Sequence, residues 1–484
     1  MERLVEAIHA FFSLFLSWFG ALLGLLYAHF FATLGVGIGF FIILRILREK
    51  RNPSNIYAWS LAVILVPWAG VPLFLLFGGR KSRRWVRIKK EVMEAAIRRA
   101  ESETMLSLPI QHWAVTPDAG NKVELLRDGV EAFEALIAGI EQAEETIDCM
   151  TYIFGRDAVA DAVVDKLEER ARAGVQVRLL VDAFGSMGKV ARIRRRLAPL
   201  GAQVVRFLPL LALQSHSSAN LRNHRKLTIF DRKVCIAGGQ NIDRRFIGPV
   251  PDPELFVDFS LRYEGPVLRA FNFVFAADWV FSAGEKIETV LPLLHFQPER
   301  VGDSLVEVIE SGPEIEGDPL YTRILLLVQD CRESLTIVTP YFLPDDTLFH
   351  SLVVKALSGR AIRLILPMRS NHRLVDLASY HRVRELSRAG VRVLFYEPGM
   401  IHGKLMIVDE EIAMTGSANF DQRSLFLNFE IGIFQSSPSD VAALQQWAEA
   451  LIPKTIPFEE SEWKEPKGRE RYLESFAHLF VPLL

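Results

Sequence analysis

Two short constellations in this 484-residue chain carry chemistry. His224-x-Lys226-x4-Asp231 is repeated as His402-x-Lys404-x4-Asp409. The match continues without insertion, because Gly238-x-x-Asn241-x-Asp243-x-Arg245 recurs as Gly416-x-x-Asn419-x-Asp421-x-Arg423 at one constant offset of 178 residues. One such spacing is a weak signal. Two copies, each followed by the same second motif, are not an accident of composition.

Paired imidazoles and lysines are what transfer of a phosphodiester requires. Neutral imidazole attacks phosphorus and forms a covalent phosphohistidine. A second imidazole, protonated, donates to the leaving oxygen and then accepts the proton of the incoming hydroxyl. Lys226 and Lys404 supply fixed positive charge where it develops in the transition state. The chemistry reads as phosphodiester transfer. The two histidines must hold opposite protonation states at one pH, so each needs an orienting partner, and Asp258 and Glu430 downstream of the motifs are the candidates. Asp231 and Asp409 complete the motif as candidate catalytic residues, although their place behind a strand suits bracing of strand and loop. Asn241 and Asn419, with Gly239 and Ser417 in the same loops, are candidate phosphate-binding positions. No Asp/Glu-rich cluster of the two-metal kind is found, so neither a metal nor another cofactor is expected. The other histidines (His112, His216, His295, His350, His372, His381 and His478) read as surface or satisfied core positions.

The elements that must position these residues also come in pairs. Glu145-Thr-Ile-Asp-Cys-Met-Thr-Tyr-Ile-Phe154 matches Glu333-Ser-Leu-Thr-Ile-Val-Thr-Pro-Tyr-Phe342, and Val177-Arg-Leu-Leu-Val-Asp182 matches Ile362-Arg-Leu-Ile-Leu-Pro367. Gly201-Ala-Gln-Val-Val-Arg-Phe-Leu-Pro209 likewise matches Gly390-Val-Arg-Val-Leu-Phe-Tyr-Glu-Pro398. Short β-branched runs alternating with helical patterns predict an α/β fold: two tandem α/β sandwich domains with mixed sheets flanked by helices, related by a pseudo-two-fold axis. In each half the His-x-Lys run opens a strand, and alternation sends both side chains into one pocket. The expected organisation is a membrane anchor over 1–90, a linker over 91–120, domains over 121–300 and 301–452, and a connector with an apolar tail over 453–484. An insert at 210–220 is expected to form a lip over the first motif. Tyr341 and Phe342 are expected to line the entrance.

Composition narrows the class of partner. A formal charge of -2 excludes bulk nucleic acid as the main partner. Cys149, Cys235 and Cys331 lie far apart, which predicts a reducing compartment and no disulfide framework. No Lys, Arg, Asp or Glu occurs over 7–44 or 57–79. As helix, the first run would measure nearly twice the roughly 30 Å thickness of a bilayer core. It predicts either one long span with an interfacial preamble or a helical hairpin turning near His29. The second run contains Pro67 and Pro72 and predicts a re-entrant or interfacial segment bent there, because the basic stretches 45–51 and 80–90 then both face the cytoplasm. Multi-pass or re-entrant anchoring, with cytoplasmic catalytic domains, is the expectation. The residues are compatible with a homo-oligomer.

The doubled His-x-Lys-x4-Asp motif resembles that of the phospholipase D superfamily. Within it, the chain resembles the bacterial cardiolipin synthases over essentially its full length. That likeness is carried by the N-terminal apolar segments, Asn223-His-Arg-Lys226, Gly238-Gly-Gln-Asn241, Thr339-Pro-Tyr-Phe342, His402-Gly-Lys404, Gly416-Ser-Ala-Asn419 and Arg423-Ser-Leu-Phe-Leu-Asn-Phe-Glu430. The resemblance implies conversion of two phosphatidylglycerols to cardiolipin and glycerol at the bacterial cytoplasmic (inner) membrane, without metal or nucleotide. It also implies that His224 is the nucleophile and His402 the acid/base. The residues themselves leave open a phospholipase D-type hydrolase, or a phosphatidyltransferase acting on phosphatidylethanolamine or phosphatidylserine. The other cardiolipin route uses a D-G-x-x-A-R signature, and Asp128-Gly-Val-Glu-Ala-Phe133 lacks its arginine. The 7–44 run is longer than the family's usual first apolar stretch.

Overall fold

A computed structural model of the chain describes residues 2–48, 53–77, 117–208, 221–290, 296–313 and 317–459, with a few single positions between and beyond them. The chain divides into two compact units, 1–79 and 80–484. The 210–220 insert, the 80–90 basic stretch and the apolar C-terminal tail fall outside the described residues, apart from Lys90.

The first unit is helical. One helix runs from Glu2 to Arg48 and passes position 29 without a turn, so the hairpin alternative is not what forms. Two short helices follow, Pro53–Leu65 and Pro67–Phe77. They break at Val66 because Pro67 has no amide hydrogen to continue the first, whereas its fixed φ suits the first turn of the second. The bend expected at Pro67 is therefore present, whereas Pro72 is accommodated inside the second helix. At 13 and 11 residues these helices measure about 20 and 17 Å. Among the described residues no helix is long and apolar enough to cross a membrane. Ile42, Ile46, Val63 and Phe74 form a small buried cluster, and a side chain at Gly70 would meet the Ala62 carbonyl, so glycine lets the short helices close on one another.

The second unit is built on one mixed sheet. Its first half contributes β1 (Asp118–Leu126), β2 (Thr146–Thr151), β3 (Gln176–Asp182), β4 (Gln203–Phe207), β5 (Leu227–Phe230), β6 (Val234–Gly238) and β7 (Ser260–Glu264). The second half contributes β8 (Ser304–Ser311), β9 (Ser334–Val338), β11 (Ala361–Pro367), β12 (Arg392–Tyr396), β13 (Leu405–Val408), β14 (Ile412–Gly416), β16 (Glu430–Gln435) and β17 (Thr455–Pro457). A separate parallel pair joins β10 (Phe342–Leu343) to β15 (Phe420–Asp421). The main order is β17-β12-β11-β9-β13-β14-β16-β8-β1-β7-β6-β5-β2-β3-β4. The two halves thus repeat one strand order about the β8–β1 seam. β2, β3 and β4 run parallel, as do β9, β11 and β12; the mostly apolar runs of β2, β3, β9, β11 and β12 are buried, whereas β4 at the edge stays partly exposed.

Two expectations change. The halves do not carry separate sheets, because β1 pairs antiparallel with β8 through Asp118↔Val306 and Asn121↔Ser304. The first half begins at Asp118, inside the expected linker, and β17 takes residues from the expected connector to pair with β12.

Helices cover the sheet according to their apolar faces. Gly129–Gln142, Ala158–Arg172 and Val190–Leu197 pack on the outer face of the first half, and Pro319–Asp330, Asp346–Leu357 and Arg373–Arg388 on that of the second. Leu268–Ala283 is buried nearly all round and lies in a core shared by both halves, which also holds Val338, Ile365 and Ile431. A fully buried cation ties that core to the seam. Arg225 donates to Asp278 Oδ2 at 2.7 Å, to the Ser311 carbonyl at 3.0 Å and to the Glu430 carbonyl at 3.0 Å.

Arg225→Met removes the guanidinium beside the buried Asp278 and should lower stability by about 3–5 kcal/mol. Thermal unfolding in detergent tests this, with Arg225→Met/Asp278→Leu expected to recover much of the loss.

Candidate active site

The Lys-x4-Asp spacing brackets a strand. Lys226 ends the loop before β5, four buried residues follow, and Asp231 opens the turn to β6. Lys404, β13 and Asp409 repeat this. Asp231 and Arg232 have φ of 49° and 60°, and Asp409 and Glu410 have 52° and 57°, the two consecutive left-handed residues that a tight hairpin demands. The Asp231 carboxylate accepts from the amides of Glu144, Glu145 and Thr146 at 2.7–2.8 Å. Asp409 accepts from Arg332, Glu333 and Ser334 at 2.8 Å. These aspartates fasten the motif strand to the start of β2 or β9. They sit at the end of the strand away from the histidines, so their place is in bracing, not beside the reacting groups.

The histidines are oriented across the seam. His224 Nδ1 lies 3.0 and 3.1 Å from the two oxygens of Glu430 and 3.1 Å from the Ser417 carbonyl. His402 Nδ1 lies 2.7 Å from Asp258 Oδ2. Each half therefore supplies the carboxylate for the histidine of the other. Backbone bridges hold the exchange in register: Asn223 with Phe429, and Val257 with Ile401. His224 N donates to the Phe429 carbonyl at 2.9 Å, and His402 N to the Val257 carbonyl at 2.7 Å.

Glu430 is further held by the Ser417 hydroxyl at 2.5 Å and the Asn428 amide at 3.2 Å. Burial pushes its carboxyl up, but His224, Lys226 and Ser417 bring it below the ordinary range, so it is ionised at neutral pH. An ionised carboxylate and a carbonyl accept only, so His224 carries its proton on Nδ1 and presents Nε2 as the lone-pair nitrogen. At the position matching Ser417, Gly239 leaves room for Asp258: a Cβ there would stand 2.9 Å from both carboxylate oxygens and 3.2 Å from Lys404 Cδ.

Charge is concentrated here. Lys226 and Lys404 are buried, and each donates to the carbonyl of its own histidine. Burial pulls Lys226 down to about 7 and Lys404 to about 8, opposed by Glu430 and Asp258. Burial also lowers His224, with Glu430 opposing. His402 is held down to about 3 by burial and by Lys404, whose Nζ lies 3.1 Å from Nε2.

Both histidines line one cavity of about 310 Å³, together with Asn241, Asn419, Tyr152, Arg222, Arg245, Tyr341 and Arg423. Asn241 Oδ1 also accepts from the Ile153 amide at 2.9 Å. Phe342 does not reach this space: it is buried in the second-half core and pairs with Phe420. His372, read from sequence as a surface or satisfied core position, is exposed and also stands at the rim of the cavity. Sequence reasoning also passed over Tyr152 and Arg222. Tyr152 stands with its ring centroid 5.0 Å from that of His224. The available signal was the match of segment 145–154 with 333–342, which carries an aromatic residue just beyond β2 and β9 alike.

Glu430→Gln should drive His224 to the wrong tautomer and cut activity by roughly 10³–10⁴-fold at little cost in folding. Gly239→Ala should displace Asp258 and disable His402, whereas Ser417→Ala should retain more activity than either. Specific activity alongside thermal unfolding checks all three.

The family described as cardiolipin synthase, PLD-like domain, matches residues 136–255 and 324–452. The family described as phospholipase D-nuclease N-terminal matches 37–79. Cardiolipin synthase A of Citrobacter koseri is 30% identical over 470 residues, covering 92% of this chain and 96% of that protein. The major cardiolipin synthase ClsA of Bacillus subtilis is 30% identical over 415 residues, covering 81% and 86%. The crystal structure of phosphatidylserine synthase from Haemophilus influenzae superposes with a TM-score of 0.59 at 15% identity, over 76% of this chain and 95% of that one, a likeness of fold. With both halves matched and relatedness along nearly the whole chain, this protein belongs to the cardiolipin synthase family of phospholipase D-like proteins.

Proposed function

We propose that the chain is a cardiolipin synthase that joins two phosphatidylglycerols through a phosphatidyl-histidine, releasing glycerol. The observation that carries this reading is the pair of buried imidazoles on one cavity, each oriented by the other half's carboxylate. His224 Nε2 attacks phosphorus, the bond to the glycerol oxygen breaks, and His402 delivers a proton to that oxygen. The primary hydroxyl of a second phosphatidylglycerol then attacks phosphorus, His402 takes its proton, and the bond to His224 breaks. Lys404 Nζ lies over the ring of His402, 2.9 Å from Nδ1 and 3.1 Å from Nε2, and its positive charge opposes attack by that imidazole, which favours His224 as the nucleophile. The arriving phosphodiester anion supplies the charge that lets His402 be protonated. Asn241 and Asn419 fit the non-bridging oxygens of the phosphate.

The same residues would serve water or another lipid alcohol. Access from a membrane favours the lipid, since both substrates are then concentrated at the mouth. In the first unit Leu14, Phe15, Leu16, Trp18 and Phe19 lie 47–71% exposed on consecutive turns of one helix, an arrangement suited to lipid. With the basic flanks of the apolar runs, this supports anchoring in the bacterial inner membrane with the catalytic unit cytoplasmic.

Purified protein with phosphatidylglycerol should yield cardiolipin and glycerol in equal amounts. Glycerol and phosphatidic acid without cardiolipin would make it a hydrolase. His224→Ala should abolish a trappable phosphoenzyme, whereas His402→Ala should slow its formation by roughly 10²–10⁴-fold. A phosphoenzyme that survives His224→Ala would reverse the assignment.

Because Lys226 and Lys404 are pulled down from 10.5 to about 7 and about 8, their ammonium forms are lost as pH rises through that window. Cardiolipin formation should fall on that alkaline limb, and Lys404→Arg should move the limb upward in whatever activity it retains. A pH–rate profile flat to about pH 10, the ordinary lysine range, would contradict this.

A further inference from the structure

Two loops occupy matching places at the mouth of the cavity. One, 183–189, follows β3; the other, 368–374, follows β11 and includes Arg373 and Leu374, the first residues of the helix Arg373–Arg388. Arg222 of the cavity wall lies 5.8 Å from the Phe184 ring, and Asn371 and His372 line the cavity themselves. Both loops expose apolar side chains: Phe184 at 53%, Met187 at 62% and Leu374 at 50%. Their backbones are nevertheless pinned. Phe184 N and Gly185 N donate to Asp182 Oδ1 at 2.8 and 3.0 Å, and Ser186 Oγ donates to the Tyr152 carbonyl at 3.0 Å. In the second loop Ser370 N donates to Asp376 at 3.1 Å, and Tyr341 donates to Asn371 at 2.5 Å. These apolar tips are held toward water by ordered turns, which the packing of the fold does not call for.

Charge identifies what they meet. Neither loop contains an Asp or Glu, and between them they carry Lys189, Arg369 and Arg373. Apolar tips among cations suit the interface of an anionic bilayer, where the cations meet headgroups and the tips enter the acyl boundary. A lipid whose phosphodiester reaches this cavity keeps its chains in the bilayer, because exposing each methylene to water is unfavourable. The cavity mouth must then lie against the surface, with 368–374 on its wall and 183–189 beside Arg222.

We propose that loops 183–189 and 368–374 dock the catalytic unit onto an anionic lipid surface, separately from the N-terminal helices. This rests on reading the cavity as a phosphatidyl-transfer site. Cys149, Cys235 and Cys331 are buried, so a cysteine introduced at a loop tip can be labelled selectively. In the full chain reconstituted in vesicles, an environment-sensitive fluorophore on Met187→Cys or Leu374→Cys should shift to the blue. It should also be quenched by brominated lipid, more strongly with phosphatidylglycerol than with phosphatidylcholine alone. Leu357→Cys is the control: it is 70% exposed and precedes β11, whose seven residues place it roughly 20 Å or more from the loop beyond that strand. Labels at 187 and 374 that respond no more than the one at 357 overturn the proposal. So does a response that follows protein concentration instead of lipid, which would mark contact between copies.

Met187→Asp/Leu374→Asp should lower turnover on phosphatidylglycerol vesicles by about 10-fold or more. Turnover of a short-chain phosphatidylglycerol below its micelle concentration should stay within about twofold, since neither side chain touches the reacting groups. Equal loss on both substrates overturns the proposal. If the unaltered chain makes cardiolipin from neither substrate, the proposed activity fails, and the label positions still decide the docking.

Discussion

The crossed pairing of imidazole and carboxylate is the constraint around which the second unit is organised. Two imidazoles, two ammonium groups and two carboxylates are buried together, and such a cluster is tolerable only when every charge is matched and hydrogen-bonded. Glu430 and Asp258 satisfy that condition from opposite sides of the seam. Separating the halves would leave each with an unoriented histidine and a buried carboxylate without its partner. The β1–β8 pairing, the two backbone bridges and the buried Arg225 all oppose that separation. One half alone is therefore not a smaller version of the site.

The duplication is close in sequence but not in environment. Between His and Lys stands Arg225 in one copy and Gly403 in the other, where a Cβ would press on Trp447. Ser417 donates to one orienting carboxylate, whereas Gly239 merely makes room for the other. The Ser417 carbonyl also faces His224, and Lys404 lies over His402. Under the proposed mechanism, these differences suit two equivalent histidines to unequal parts, one as nucleophile and the other as acid.

Much of the fold was legible because it is written in local pattern. Buried β-branched runs announced the strands, and the repeat at constant offset announced two halves. The four residues between Lys and Asp proved to be one short strand closed by a left-handed turn. Other features were not legible, and for definite reasons. β1 meets β8 through a few residue pairs with a bulge, too little pattern to foretell one continuous sheet. Phe342 and Tyr341 are neighbours with opposite fates: Phe342 opens β10 and its pairing with β15 turns it into the core, whereas Tyr341 stands just before that strand on the cavity.

Residue type and spacing by themselves determined the chemistry available, namely two imidazoles, two lysines and the loops beside them. They also named Asp258 and Glu430 as candidate partners. Only the tertiary structure decided which carboxylate serves which histidine, because the pairs are 144 and 206 residues apart and no local pattern links them. It also showed what Asp231 and Asp409, already read as suited to bracing, hold in place: each carboxylate accepts from three backbone amides and is committed to the turn it holds.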